Sequence, residues 1–206
     1  LRGQNNVQGS CDMGALPEYY TGYQRISDEV SRKKFEAAWG STLSAKAGLK
    51  EPEMYRAALA GKLKCMYVIG YDPAKTQANL NFVHKAYEKM DFVVVQDIFL
   101  TETARHADVV LPVACFFEKS GTFTNADRRI QLVRPAIAPP EGLKSDWEVV
   151  CMIANAMGAK FSYRSSSDIM DEIASLTPQY KGVNYSRLEK EELHWQLADP
   201  TLYQKD

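Results

Sequence analysis

The chain has few of the residues that build metal centres or disulfide frameworks. Its 206 residues include only four cysteines, at positions 11, 65, 115 and 151, and none of them forms a C-x-x-C pair. Such spacing is typical of zinc sites and iron–sulfur clusters, so the sequence predicts no metal site of its own. Scattered thiols without a disulfide pattern favour a reducing, cytoplasmic location.

Excess charge and long apolar runs are also missing. The net charge is -1 and no basic stripe is present, which argues against a nucleic-acid partner. No apolar run reaches membrane-spanning length, and no secretory leader, P-loop or Ser/His/Asp arrangement is visible. Because the first residue is Leu1 rather than Met, we expect an internal piece of a longer protein.

Apolar strands and amphipathic helices alternate through the middle of the chain. Strands are predicted over residues 63–69, 92–95 and 109–111, and helices over residues 51–60, 76–90, 101–107 and 147–157. This alternation predicts a parallel sheet with right-handed crossovers. The predicted fold class is therefore α/β, a Rossmann-like parallel sheet flanked by helices.

The same pattern divides the chain into three segments. Residues 1–60 are predicted to form an N-terminal arm, a loop over residues 1–25, followed by helices. Residues 61–160 form the predicted nucleotide-binding α/β core. Residues 161–206 form a C-terminal helical extension that begins with a helix over residues 166–176.

Polar residues follow the ends of the first two predicted strands. Gly70 and Asp72 follow the first strand, and Gln96 and Asp97 end the second. Open α/β sheets bind nucleotides at this edge, and a carboxylate there can accept hydrogen bonds from guanine N1–H and the exocyclic amine. Thr76 lies near a helix start, which favours anions or polar ligand atoms. The alternative is a capped turn, because Asp and Pro are common in turns.

The neighbouring polar residues also leave two interpretations open. Asp97 suits ribose hydroxyls and Gln96 suits a base or phosphate, but Asp97 is equally suited to cap a turn. Asp108 precedes the third strand, where a buried carboxylate needs a partner, and an ion pair with Arg105 or Arg128 is the favoured explanation.

The N-terminal segment Arg2–Asn6 is dense in hydrogen-bond donors. An arginine fork makes two parallel hydrogen bonds to a planar carboxylate, so Arg2 is a candidate substrate ligand. The alternative is a solvated chain terminus.

Several sequence blocks together resemble the molybdopterin oxidoreductase superfamily, and within it the catalytic (alpha) subunit of formate dehydrogenases. The blocks occur in family order and cover most of residues 2–158. They read RGQNNVQGSCDMGALP, GYQRI, KKFEAAWG, YVIGYDPAKT, VVQDIFLTETARHADVVLP, GTFTNADRR and KSDWEV.

The resemblance implies a bis(molybdopterin guanine dinucleotide) cofactor with molybdenum or tungsten, and an iron–sulfur cluster in the parent protein, outside this chain. Arg2 matches the arginine that orients formate as a catalytic residue, and Gln4 lines the same end of the cofactor. The other implied cofactor contacts are Gly70, Asp72, Thr76, Gln96, Asp97, Thr101, Asp108 and Asp146. The cysteine or selenocysteine that ligates the metal lies upstream in the family.

The parent is therefore expected to oxidise formate to carbon dioxide and to pass electrons to further subunits or an acceptor. The isolated chain is expected to be inactive, and its arm from residue 2 to residue 17 to be poorly anchored. Two alternatives stay open: a molybdopterin oxidoreductase acting on another oxo-substrate, and a non-catalytic nucleotide-binding module.

Overall fold

A computed structural model describes residues 3–195 and divides them into two compact units. The sheet unit comprises Leu49–Lys119 and Pro135–Phe161. The hairpin unit comprises the chain up to Gly48, Ser120–Arg134, and the chain from Ser162. The first and last parts of the chain thus belong to one unit. The three-segment division inferred from the sequence stays a prediction.

The sheet unit is built on three parallel strands. They are β1 (Cys65–Ile69), β2 (Phe92–Asp97) and β3 (Val109–Pro112), in the order β1-β2-β3. Ile69 lies opposite Gln96, and Gln96 lies opposite Leu111, so the three carboxyl ends are aligned. The predicted α/β fold with a parallel sheet flanked by helices is confirmed.

Helices cover one face of this sheet. They are α3 (Glu51–Leu59), α4 (Pro73–Thr76) and α5 (Leu80–Tyr87), with a 3₁₀ turn at Thr103–His106. Val68, Val93 and Val95 are buried against Tyr55 and Tyr87 in one continuous core. The alternation of the strands places these valines on a single face, which explains why β-branched residues recur there.

The opposite face is more open. Tyr67 and Ile69 are 38% and 44% exposed. On this side, Asp146 at the start of α6 (Asp146–Ala156) accepts a hydrogen bond from Gln96 of β2. Ser145 and Glu148 form a capping box at the start of α6, which satisfies backbone N–H groups at the helix start.

The hairpin unit combines an antiparallel sheet with helices. Strands β4 (Gly121–Thr124), β5 (Arg129–Val133) and β6 (Leu193–His194) pair in that order. The helices are α1 (Val7–Asp12), α2 (Glu29–Trp39), α7 (Ser166–Leu176) and α8 (Tyr185–Leu188), with 3₁₀ turns at Thr21–Tyr23 and Pro178–Tyr180.

A buried carboxylate ties this unit together. Asp12 has no exposed surface. It accepts hydrogen bonds from Gln8 Nε2 at 2.6 Å, Tyr23 Oη at 3.1 Å and Tyr180 Oη at 2.9 Å. Tyr180 Oη also lies 3.0 Å from Thr124 Oγ1. Segments far apart in sequence therefore meet at one side chain.

Three sequence-based expectations were wrong. Residues 1–25 are not all loop, because α1 and a 3₁₀ turn form there, and the burial of Asp12 anchors the arm that we expected to be loose. Residues 76–90 do not form one helix, because Thr76 ends α4 and Asn79 caps α5. Within the described chain, no helix is long and apolar enough to cross a membrane.

Candidate functional site at the carboxyl edge of the sheet

Polar residues from separate segments meet where the parallel strands end. Gly70 extends the pairing of β1 and β2, because its N–H donates to Gln96 O at 2.8 Å. Its φ of +60° lies in the left-handed region that glycine tolerates best. The chain can therefore turn sharply after β1 and bring Asp72 to the same edge as Asp97, as the sequence predicted.

Asp72 caps the neighbouring 3₁₀ turn. Its Oδ1 accepts hydrogen bonds from Thr103 N–H at 2.8 Å and from Thr103 Oγ1 at 2.7 Å. Burial tends to raise the pKa of Asp72, but the hydrogen bonds from Thr103 outweigh it and hold the pKa below its ordinary value. Asp72 is therefore ionised at neutral pH and fixed in direction.

A chain of hydrogen bonds crosses the exposed face of the sheet to this edge. Gln96 is fully buried; its Oε1 accepts from Tyr67 Oη, and its Nε2 donates to Asp146 Oδ1 at 2.9 Å. Asp146 Oδ2 pairs with Lys119 Nζ, which also donates to Ala114 O at 2.9 Å. Both polar atoms of Gln96 are thus engaged with protein groups, and Gln96 holds Asp146 in place.

Asp97 makes a turn and borders a cavity as well. Its Oδ1 accepts from Phe99 N–H at 3.0 Å, an Asx-type turn, so the turn interpretation describes the structure correctly. The side chain is 9% exposed and lines a cavity of about 310 Å³ together with Gly70, Lys119 and Asp146.

A second cavity lies on the other side of Phe99, which borders both. Its volume is about 820 Å³. The charged and hydroxyl side chains that line it are Asp72, Lys75, Thr101, Glu102 and Arg105. Thr101 Oγ1 accepts from Ala104 N–H at 3.1 Å and so caps the 3₁₀ turn.

The donor and acceptor set at this edge fits a nucleotide. Asp72, Asp97 and Asp146 are acceptors suited to the N–H groups of a base and to ribose hydroxyls. Lys75 and Arg105 are cations suited to phosphate oxygens. Within residues 3–195, no group of three His, Cys, Asp or Glu side chains could hold a metal ion.

Of the remaining candidate residues, the three that the structure describes line neither cavity. Asp108 accepts Val93 N–H at 2.7 Å at the amino edge of the sheet, rather than the expected arginine. Thr76 is exposed and its Oγ1 donates to Asp72 O at 2.9 Å. Gln4 is exposed and belongs to the hairpin unit, and Arg2 lies outside the described residues.

Three contributors to the site were not found from the sequence. Thr103 orients Asp72, Tyr67 holds Gln96, and Lys119 pairs with Asp146. Each is separated by 27 to 31 residues from its partner, so no local spacing signals the pair. For Tyr67, its position three residues before Gly70 on an apolar strand was the one available signal.

Comparisons with known proteins agree on one family. A family model described as molybdopterin oxidoreductase matches residues 2–156. The alpha subunit of an F420-dependent formate dehydrogenase from Methanocaldococcus jannaschii is 48% identical over 97% of this chain and 29% of its own length. The alpha subunit of a second F420-dependent formate dehydrogenase, from Methanococcus maripaludis, is 46% identical over 97% and 30%. The chain thus spans less than a third of these relatives.

A solved structure is similar in fold. Acetylene hydratase from Pelobacter acetylenicus matches with a TM-score of 0.61, covering 91% of this chain and 26% of that chain. The sequence identity is 19%, so this likeness supports the fold alone.

Proposed function

The chain belongs to the molybdopterin oxidoreductase family, and on that premise we propose that it is an internal part of a formate dehydrogenase catalytic subunit and holds a nucleotide end of the molybdopterin cofactor. The observation that carries the proposal is the convergence of Gly70, Asp72, Asp97 and Asp146 on two cavities at the carboxyl edge of the sheet. Open parallel sheets bind nucleotides at this edge.

Each residue of the edge has a distinct task in this proposal. Asp72 accepts hydrogen bonds from guanine, the base whose N1–H and amine match a carboxylate. Asp97 and Asp146 accept from ribose hydroxyls or other polar cofactor atoms. Thr101 contributes a hydroxyl in the larger cavity. Gln96 is buried and positions Asp146 through a hydrogen bond.

The cofactor is proposed to be bis(molybdopterin guanine dinucleotide) with molybdenum or tungsten. When bound, it takes up the two electrons released in the oxidation of formate. The protein ligand of the metal and the iron–sulfur cluster belong to parts of the polypeptide outside this chain. The 206 residues alone should therefore show no formate oxidation.

Substrate binding is assigned to the N-terminal arm. We propose that Arg2 orients the formate carboxylate through a bidentate hydrogen-bonded pair and stabilises charge in the transition state. Gln4 is proposed to line the same end of the cofactor. The names of the two relatives, which are formate dehydrogenase alpha subunits, support formate as substrate. Electrons are proposed to pass to further subunits or an acceptor.

The experiment uses the full-length polypeptide that contains this chain. Purified protein should release GMP on acid hydrolysis and reduce a dye with formate. Arg2→Lys keeps the charge but loses the planar fork, so kcat/KM for formate should fall by about tenfold or more with GMP content unchanged. Arg134→Lys, at an exposed position, is the matched control.

The alternatives predict different outcomes in the same assay. A protein with full GMP content that reduces another oxo-substrate and ignores formate would keep the family and overturn the formate assignment. A protein that binds the nucleotide without metal and shows no turnover would be a non-catalytic module. Wild-type kinetics for Arg2→Lys would remove Arg2 from the substrate site.

A further inference from the structure

The two edges of the parallel sheet differ. Just after β3, Val113 forms an isolated bridge with Lys144, and Ala114 N–H donates to Lys144 O at 2.8 Å, so another segment of this unit occupies the end of that edge. Beyond β1, none of the strands in the described part of the chain pairs with the outer edge. The edge at β1 therefore has no strand partner along its whole length within residues 3–195.

The open edge presents regular backbone groups. Gly70 N–H and Lys64 O both bond towards β2, which sets the alternation along the strand. Even-numbered residues of β1 therefore direct their N–H and C=O groups inward, and Tyr67 and Ile69 direct theirs outward. Natural sheets protect such edges with lysine, proline or bulges, but the strand sequence CMYVI has none of these.

A groove of about 270 Å³ runs along this edge. It is lined by all four residues of Met66–Ile69, by Met54 and Tyr55 of α3, and by Tyr87. Because successive strand residues point to opposite faces, a groove that touches all four lies at the strand edge. Tyr87 is 3% exposed, and the groove is lined mainly by apolar and aromatic side chains.

We propose that an additional β-strand, from the rest of the longer polypeptide, pairs with Tyr67 and Ile69 and places one side chain in this groove. Main-chain pairing with a pocket for one side chain is the usual form of strand addition. A longer polypeptide leaves room for such a strand, because this chain spans only 29% and 30% of the length of two relatives. The inference rests on the proposal that the chain is an internal part of such a polypeptide.

Amide hydrogen exchange on the full-length protein, read at single residues, tests the pairing. The N–H groups of Tyr67 and Ile69 should be protected to within about tenfold of those of Val68 and Gly70, which point towards β2 and serve as controls in the same strand. Exchange at Tyr67 and Ile69 that is 100-fold faster than at the controls would overturn the proposal.

The identity of the strand is tested by crosslinking. A photoreactive residue at Met54, in the groove wall, should link to a segment of the same polypeptide, identified by mass spectrometry. A link to a second copy, or protection of Tyr67 and Ile69 that is lost on dilution, would overturn the intramolecular strand. Neither readout depends on bound cofactor, so a protein without nucleotide would contradict the proposed function and leave this test intact.

Discussion

Replacing Asp12 with alanine should destabilise the hairpin unit by about 3–5 kcal/mol, because it removes the shared acceptor of three hydrogen bonds. Asp12 has no exposed surface, and its carboxylate accepts from Gln8, Tyr23 and Tyr180. Hydrogen bonds to a charged group contribute roughly 1.5–3 kcal/mol each, and an orphaned buried donor costs about 1–3 kcal/mol.

The three donors differ in how readily they can replace the hydrogen bond to Asp12. Tyr180 Oη can turn to Thr124 Oγ1 at 3.0 Å, and Tyr23 is only partly buried, so it can reach water. Gln8 is 8% exposed and has the most to lose, because without Asp12 its Nε2 keeps only the hydrogen bond to Tyr23 Oη at 3.2 Å. Asp12→Asn keeps an acceptor for Gln8 and should cost only about 1–2 kcal/mol.

The assay is urea unfolding followed by the fluorescence of Trp195, in a background where Trp39 and Trp147 are replaced by phenylalanine. The Trp195 ring lies 5.7 Å from Tyr23 and 6.4 Å from Tyr180, centroid to centroid, so it reports on this unit. Asp28→Ala, which removes an exposed N-cap of α2, should cost about 1 kcal/mol and is the matched control. If Asp12→Ala cost no more than Asp28→Ala, the network would not stabilise the unit.

Three further changes test the carboxyl edge. Gln96→Glu places a carboxylate against Asp146 in a buried position. The melting temperature of the full-length protein and its GMP content should therefore both fall. Unchanged values would mean that Gln96 does not hold Asp146 in place. The hydrogen bonds from Thr103 lower the pKa of Asp72 despite burial. The contribution of the ionised Asp72 to the free energy of unfolding should therefore be complete above the ordinary pKa of about 3.8, and be lost as the pH falls through the lowered pKa. In urea unfolding, the stability gap between wild type and Asp72→Asn should accordingly narrow below about pH 4, and a gap that does not vary with pH would contradict the assigned hydrogen bonds. Gly70→Ala should cost about 1 kcal/mol, measured by thermal unfolding, because alanine is strained at φ +60° although no atom blocks its Cβ; no loss would mean that the turn relaxes.

Local patterns were sufficient for the fold of the sheet unit. Apolar runs bounded by Gly70, Asp97 and Pro112 gave the three strands, and the parallel order followed from the helices between them. The prediction of one helix over residues 76–90 was wrong, because α4 ends at Thr76 and the Asn79 side chain caps a separate helix, α5. The burial of Asp12 could not be foreseen, because its partner Tyr180, and Thr124 that bonds to Tyr180, come from distant segments.

In the candidate site too, local patterns predicted some features, and others depended on residues distant in sequence. The placement of Asp72 and Asp97 at one edge was predictable, because strand ends of a parallel sheet align. The hydrogen bond between Thr103 and Asp72 and the ion pair between Lys119 and Asp146 could not be predicted. Both depend on the directions in which side chains point across the edge. Asp108 was expected to pair with Arg105 or Arg128, but its carboxylate accepts Val93 N–H at the amino edge, and its role as a cofactor contact stays a prediction from the resemblance.

The central claim is that the carboxyl edge of the sheet holds a nucleotide end of the cofactor, and the GMP content of two isosteric variants tests it most directly. Asp146→Asn changes the carboxyl edge, and Asp108→Asn changes the amino edge of the same sheet. In folded full-length protein, Asp146→Asn should release several-fold less GMP on acid hydrolysis than wild type, and Asp108→Asn should release the wild-type amount. Equal GMP from both variants, or a loss confined to Asp108→Asn, would contradict the account.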